Sequence, residues 1–169
     1  MDNKTQIEKI INSSQNYIFA HQAEHEKFAK LGSWLEKEST IFKREATNKT
    51  IKRPNFKRGQ IIKVDFGINI GSELSNTHFA IVLNNDDNNS VDNLLVIPLT
   101  SKNGYKRLKV GNILKDFQNN NKYSSNGYAL ITQIRVISKS RIFNSKIKSF
   151  CDKKTMANII ESIIEYLTK

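Results

Sequence analysis

Gln60-Ile61-Ile62-Lys63-Val64-Asp65-Phe66 is the stretch where the chain changes its period. Before it, apolar residues recur every three or four positions. From Lys57 onward they alternate or gather in short blocks, as strands do. His78–Leu83 reads as a buried strand that runs into the Asn/Asp-rich turn Asn84–Asn89, and Asn93–Thr100 as a longer strand. Arg107–Val110 and Ile113–Leu114 are short candidates. Ala129–Val136 reads as a further strand, and Arg141–Phe150 as another or as a strand-to-helix turn. Asp152 is placed to cap a final helix, Lys153–Leu167, in which Met156, Ile159, Ile160, Ile163 and Leu167 share one face. Several short strands with turns between them predict a mainly β, α+β domain built on a small, strongly bent barrel with a C-terminal helix.

Upstream of this region the reading is helical. Thr5 and Glu8 have the spacing of a capping box, and Ile7, Ile10, Ile11, Tyr17, Ile18, Phe28 and Leu31 follow at helical intervals, so residues 5–31 are expected to form a helix stopped by Gly32. Ser33 and Glu36 open a second box, with Trp34, Leu35, Ile41 and Phe42 on one side. Residues 46–57 are basic and turn-rich around Pro54. The expected organisation is an N-terminal helical extension over 1–45, a linker over 46–57 and the barrel over 58–169. Asn48-Lys49-Thr50 matches a glycosylation acceptor, which a cytosolic chain does not present to that machinery.

The composition narrows the function classes. The chain has 169 residues, 38% hydrophobic and 25% charged, an ordinary soluble profile. Its longest apolar runs, such as Leu94–Leu99, fall far short of the ~20 residues of a membrane span. Met1-Asp2-Asn3-Lys4 leads into an amphipathic pattern without the apolar core of a secretory signal, and a single cysteine, Cys151, excludes an internal disulfide. The expected location is the cytoplasm. Twenty-seven Lys and Arg face 16 acids, a net charge of +11. Residues 1–40 carry five lysines against six acids, so residues 41–169 carry +12. A domain that basic expects a polyanion, or an acidic protein that competes with one.

Individual motifs are weighed against plainer readings. His21-Gln22-Ala23-Glu24-His25 spells an inverted zinc-protease pattern, but both histidines share a face with Ile7, Ile18 and Phe28. No later helix before residue 150 supplies a third ligand, so a helix seam or surface is the better account. Asp86, Asp87 and Asp92 lack the glycine and terminal glutamate of a calcium loop and read as a solvated turn. Cys151 has no catalytic partners. No metal and no cofactor are expected. What remains is a set of polar residues at strand ends: Gly71-Ser72-Glu73, His78, Thr100-Ser101-Lys102, and Gln133 with Arg135. Metal-free RNA cleavage needs a base for the 2′-OH proton, an acid for the leaving 5′-oxygen, and donors for the charged phosphorane. Histidine, hydroxyls and a Lys or Arg supply those parts.

Several segments together resemble the MazF/PemK family, toxins of type II toxin–antitoxin pairs. They are Lys57-Arg-Gly-Gln-Ile-Ile-Lys-Val-Asp-Phe66, Gly71-Ser-Glu73, Phe79-Ala-Ile-Val-Leu-Asn-Asn-Asp86, Val96-Ile-Pro-Leu-Thr100 and Gln133-Ile-Arg-Val-Ile-Ser-Lys-Ser-Arg-Ile142. The resemblance covers about residues 57–168 and leaves residues 1–50 outside. It implies an SH3-like barrel, a homodimer, and metal-independent, sequence-selective cleavage of single-stranded mRNA to 2′,3′-cyclic phosphate and 5′-OH ends. It also implies an acidic cognate antitoxin whose tail occupies the RNA groove. The family's phosphate-binding Ser falls on Ser72, next to Glu73, and its catalytic Thr on Thr100. Lys102, Gln133, Arg135 and Asn85 are the expected RNA contacts.

One position departs from the family pattern. Where the family usually carries a catalytic Arg followed by Pro, this chain has His78-Phe79. Histidine transfers protons near neutral pH but is a poorer permanent cation than arginine. The expectation is an endoribonuclease toxin with His78, Thr100, Ser72 and Glu73 as catalytic residues. The alternatives are a non-enzymatic, CcdB-like toxin that binds DNA gyrase on the same fold, and a catalytically weakened RNA-binding regulator.

Overall fold

The computed structural model describes residues 3–22, 26–47, 54–111, 127–143 and 150–169. The chain separates into two compact units, residues 1–47 and 48–169. No helix among the described residues is long and apolar enough to cross a membrane.

The first unit is helical, with boundaries that differ from the sequence expectation. Helix α1 spans Asn3–Gln22, a 3-10 turn spans Phe28–Lys30, and α2 spans Leu31–Thr47. Gly32 therefore lies in the first turn of α2 rather than ending a helix, and Ser33 is helical rather than a cap. Leu31 and Trp34 are buried, whereas Ile7, Ile10, Ile11 and Ile18 of α1 are more than half exposed.

The second unit is an antiparallel sheet of seven strands and a helix. The strands are β1 (Ile61–Asp65), β2 (Thr77–Val82), β3 (Asn93–Thr100), β4 (Arg107–Gly111), β5 (Gly127–Leu130), β6 (Arg135–Ser138) and β7 (Ile142–Phe143). Their order is β4-β5-β3-β2-β1-β7, with β6 also paired to β3. Helix α3 covers Lys153–Thr168. Asp152 caps it as expected, its carboxylate accepting from the Thr155 N–H at 2.9 Å and the Thr155 hydroxyl at 2.7 Å. The Ile113–Leu114 expectation falls outside the described residues.

Alternation along the strands divides the apolar side chains between two faces. Ile61, Ile81, Ile97, Leu99, Val110 and Ala129 pack with Met156 and Ile159 of α3. Ile62, Val64, Phe66, Ala80, Val82, Leu94, Val96 and Ile137 form the other cluster, with Phe56, and among the described residues no helical one belongs to it. These side chains are nevertheless 0–4% exposed. A sheet face that buries itself without a covering helix has to curl, which is the small-barrel expectation in physical form. Burial on both faces also explains why β1 to β3 read as nearly continuous apolar runs. Phe56 lies within the stretch read as linker, yet it is 3% exposed in this core.

Ala129–Val136 is not one strand. β3 pairs with β5 through Leu99↔Ala129 and with β6 through Val96↔Arg135. Between those pairs β3 advances three residues while the other chain advances six. The surplus bulges out as the 3-10 turn Ile131–Gln133. The change of partner occurs at Ile97–Pro98, where proline has no N–H to donate to a ladder. The bulge carries Gln133 out toward the β1–β2 loop.

Candidate active site

The β1–β2 loop is held by its own polar side chains. Asp65 Oδ1 accepts from Gly67 N at 3.1 Å, and Asn76 N donates to Gly67 O at 2.6 Å. Asn69 Nδ2 donates to Phe66 O at 2.9 Å and to Leu74 O at 2.6 Å, while Asn69 N donates to Ser75 Oγ at 2.9 Å. The tip turns at Gly71, whose φ of +57° suits glycine, and leaves Ser72 and Glu73 exposed.

Gln133 ties this loop to β6. Its Oε1 accepts from Leu74 N at 3.3 Å and from Arg135 Nη2 at 3.0 Å. The Arg135 guanidinium also lies 5.6 Å from the Phe66 ring centre, a cation–π contact. On the same ring, His78 packs at 6.4 Å with a tilt of 57°. His78 Nε2 is 3.1 Å from Ser75 O. A carbonyl oxygen only accepts, so Nε2 carries a proton and Nδ1 is the ring nitrogen left for chemistry.

Thr100 stands on the neighbouring strand. Pro98 and Ala80 are the last pair of the β2–β3 ladder; Thr100 lies two residues beyond Pro98 and His78 two residues before Ala80. Both continue the alternation of the curled face, as does Arg135 two residues before Ile137. Thr100 Oγ1 accepts from Lys102 N at 3.3 Å. That leaves its own O–H to donate to an incoming oxygen. Lys102 is exposed in a β3–β4 loop braced by Arg107, whose Nη1 donates to Lys102 O at 2.9 Å and Asn103 O at 3.2 Å.

The structure thus joins Gln133 to Arg135 directly and brings Arg135 and His78 to the same Phe66 ring, with Thr100 on the same sheet face and Ser72, Glu73 and Lys102 on flanking loops. Asn85 does not join them. It lies beyond the other end of β2, where its Oδ1 is hydrogen-bonded to Arg58 Nη1. Six residues lie between it and His78, four of them in β2, a span on the order of 20 Å. The similarity that suggested Asn85 is linear and carries no information about which end of a strand faces the site. Phe66, Asn69, Ser75 and Arg107 were missed by the sequence reading. Only the Asn and Ser in a short loop are a recognisable turn signal.

The turn at Asp86–Asp92 is not solvated throughout. Lys139 Nζ and Asp87 Oδ1 are 2.7 Å apart, and both side chains are 1% exposed. Oδ2 accepts from Phe56 N at 2.8 Å, and Lys139 Nζ donates to Asn88 O at 2.9 Å. Among the described residues no group of three or more His, Cys, Asp or Glu is arranged to hold a metal ion. The inverted zinc pattern is not tested by this, because Glu24 and His25 lie outside the described residues. Cys151 is 8% exposed, and its thiol is pushed up to about 11, first by burial and then by the negative charge of Asp152.

Comparison with known proteins gives the family and the fold. Residues 57–167 match the family described as PemK-like, MazF-like toxin of type II toxin–antitoxin system. No curated protein sequence matches the chain. Among solved structures, MazF (Form-I) from Deinococcus radiodurans superposes with a TM-score of 0.52 at 15% identity, covering 69% of this chain and 99% of that one. The MazE–MazF complex (Form-II) from the same organism gives 0.47 at 15% identity, covering 68% and 97%. An endoribonuclease in complex with its cognate antitoxin from Mycobacterial species gives 0.47 at 17% identity, covering 66% and 94%. The first of these shows the same fold, and the family match extends over about two thirds of the sequence: the chain belongs to the PemK-like, MazF-like toxin family of type II toxin–antitoxin systems.

Proposed function

We propose that the barrel unit is a metal-independent endoribonuclease that cleaves single-stranded RNA. The observation that carries this reading is the packing of His78 and Arg135 on the Phe66 ring, on the sheet face that Thr100 shares by alternation along β3. His78 Nδ1 takes the proton of a ribose 2′-OH, and the 2′-oxygen forms a bond to phosphorus. The bond from phosphorus to the 5′-oxygen breaks, and that oxygen leaves with a proton from solvent. The products are a 2′,3′-cyclic phosphate and a 5′-OH. The Thr100 and Ser72 hydroxyls donate to the phosphate oxygens, and Arg135 supplies the permanent positive charge that histidine lacks. Glu73 is the alternative base, and Lys102 holds a flanking phosphate. The unit acts as a homodimer opposed by an acidic antitoxin, which suits the +12 charge of residues 41–169.

The test is to incubate the purified full chain with a long single-stranded RNA in EDTA and to map the ends. Discrete cuts with 5′-OH and cyclic phosphate termini support the reading, and cleavage that requires an added metal overturns it. Intact RNA together with binding to DNA gyrase favours the non-enzymatic toxin, and intact but bound RNA the regulator.

A further inference from the structure

We propose that Tyr105 is a base-stacking platform that binds a nucleotide of the RNA beside the cleavage site. The inference rests on the RNA-cleaving reading above and names a recognition residue which that reading does not contain.

Tyr105 lies in the β3–β4 loop, Ser101-Lys102-Asn103-Gly104-Tyr105-Lys106. Its side chain is 81% exposed, against 41% for Tyr166 on α3. A single exposed apolar side chain is ordinary on a protein surface, so what marks Tyr105 is an exposed ring on a braced loop among cations. The loop is ordered by specific contacts. Arg107 grips the carbonyls of Lys102 and Asn103, and Gly104 N donates to Asn103 Oδ1 at 2.8 Å. Lys106 holds a φ of +50°, an uncommon conformation for a side-chain-bearing residue. Lys106 O accepts from Ile131 N at 3.3 Å, which fastens the loop to the turn that carries Gln133. At its other end Lys102 N is bonded to Thr100 Oγ1.

The platform is therefore tied directly to both walls of the proposed site and costs little ordering when a ligand arrives. Its neighbours in sequence are Lys102, Lys106 and Arg107, so an aromatic ring stands among cations. Basic side chains that follow a phosphate backbone, with a ring on which a splayed base rests, are the two parts of a single-strand binding surface. An acidic protein segment would use the cations equally, but it gives no reason for an exposed planar ring.

The experiment measures binding of the full chain to a labelled, mixed-sequence 2′-O-methyl RNA pool, which lacks the attacking hydroxyl. Loss of one base–aromatic stack weakens binding roughly 5- to 150-fold, so Tyr105→Ala is expected to fall in that range. Tyr105→Phe keeps affinity near wild type and Tyr105→Leu does not restore it, because the π-face rather than apolar area is required. The salt dependence of Tyr105→Ala matches wild type, whereas Lys102→Ala lowers the slope by about 1. Tyr105→Trp gains emission that the RNA quenches, and Tyr166→Ala changes nothing. If wild type binds and Tyr105→Ala binds equally, or Tyr105→Leu equals Tyr105→Phe, the stacking proposal is overturned and the endoribonuclease reading stands. If wild type binds no RNA, both fall. Unchanged RNA affinity with lost binding to an acidic peptide reassigns the ring to a protein partner.

Discussion

Replacing Lys139 by methionine is expected to destabilise the barrel unit by about 3–5 kcal/mol, the usual result of leaving half of a buried ion pair behind. The geometry sets this magnitude. Asp87 and Lys139 are each 1% exposed, so water does not screen them. Asp87 Oδ1 has no hydrogen-bond partner among the described residues, so its contact with the ammonium at 2.7 Å is a charge contact, and Lys139→Met strips it of that too. The other oxygen keeps Phe56 N at 2.8 Å. Methionine retains the apolar stem over Phe56, whose ring centre lies 6.0 Å from Nζ, so lost packing contributes little. The change corresponds to a fall in melting temperature on the order of 10–20 °C. Asp87→Asn combined with Lys139→Met removes both charges while keeping an acceptor for Phe56 N. The double variant should therefore recover about 2 kcal/mol relative to the sum of the single changes. Urea unfolding followed by far-UV circular dichroism is the suitable assay, because the single tryptophan, Trp34, belongs to the first unit and not to the barrel. A cost within 1 kcal/mol for Lys139→Met would equal that of an exposed pair and refute the reasoning.

His78→Ala should keep the fold and lose about 10²–10⁴ in cleavage rate, measured on a fixed RNA at saturating protein; undiminished cleavage, with loss in Glu73→Ala, would move the base to Glu73. Gln133→Leu removes the acceptor shared by Leu74 N and Arg135, so it should raise amide hydrogen exchange across residues 69–75 without unfolding the sheet; unchanged exchange there would show that the loop holds itself. The Cys151 thiol, raised to about 11 in the folded protein, should resist iodoacetamide at neutral pH until urea unfolds the chain. Because the folded value lies above the unfolded one, its stabilising contribution is complete below the ordinary thiol range and is lost as pH climbs toward 11; Cys151→Ala should flatten that alkaline decline. A chain beginning at Pro54 should fold, whereas one beginning at Gln60 should melt earlier, since it lacks Phe56 and its bond to Asp87. Equal melting temperatures for the two would place the barrel's start after residue 59.

Much of the architecture was legible because it rests on period and spacing. Strand β3 appears at the limits read from Asn93 and Thr100, β1 and β2 within one residue of theirs, and the last helix with its Asp152 cap. In each case the apolar pattern and the turn residues are local. The resemblance to the toxin family was likewise linear and marked His78, Thr100, Gln133 and Arg135. Three-dimensional pairing decided what sequence periodicity cannot encode. The stretch from Ala129 to Val136 looks like one strand, but it is broken because β3 takes two partners along one edge, and the surplus residues become the turn that brings Gln133 to the β1–β2 loop 59 positions away. Asn85 and His78 belong to one strand and its turn, yet they face opposite ends of the sheet. Asp87 looked solvated because no local signal announces a lysine 52 residues later. Backbone period is a property of neighbours in sequence, whereas a site is a property of neighbours in space, and only the curl of the sheet converts the first into the second.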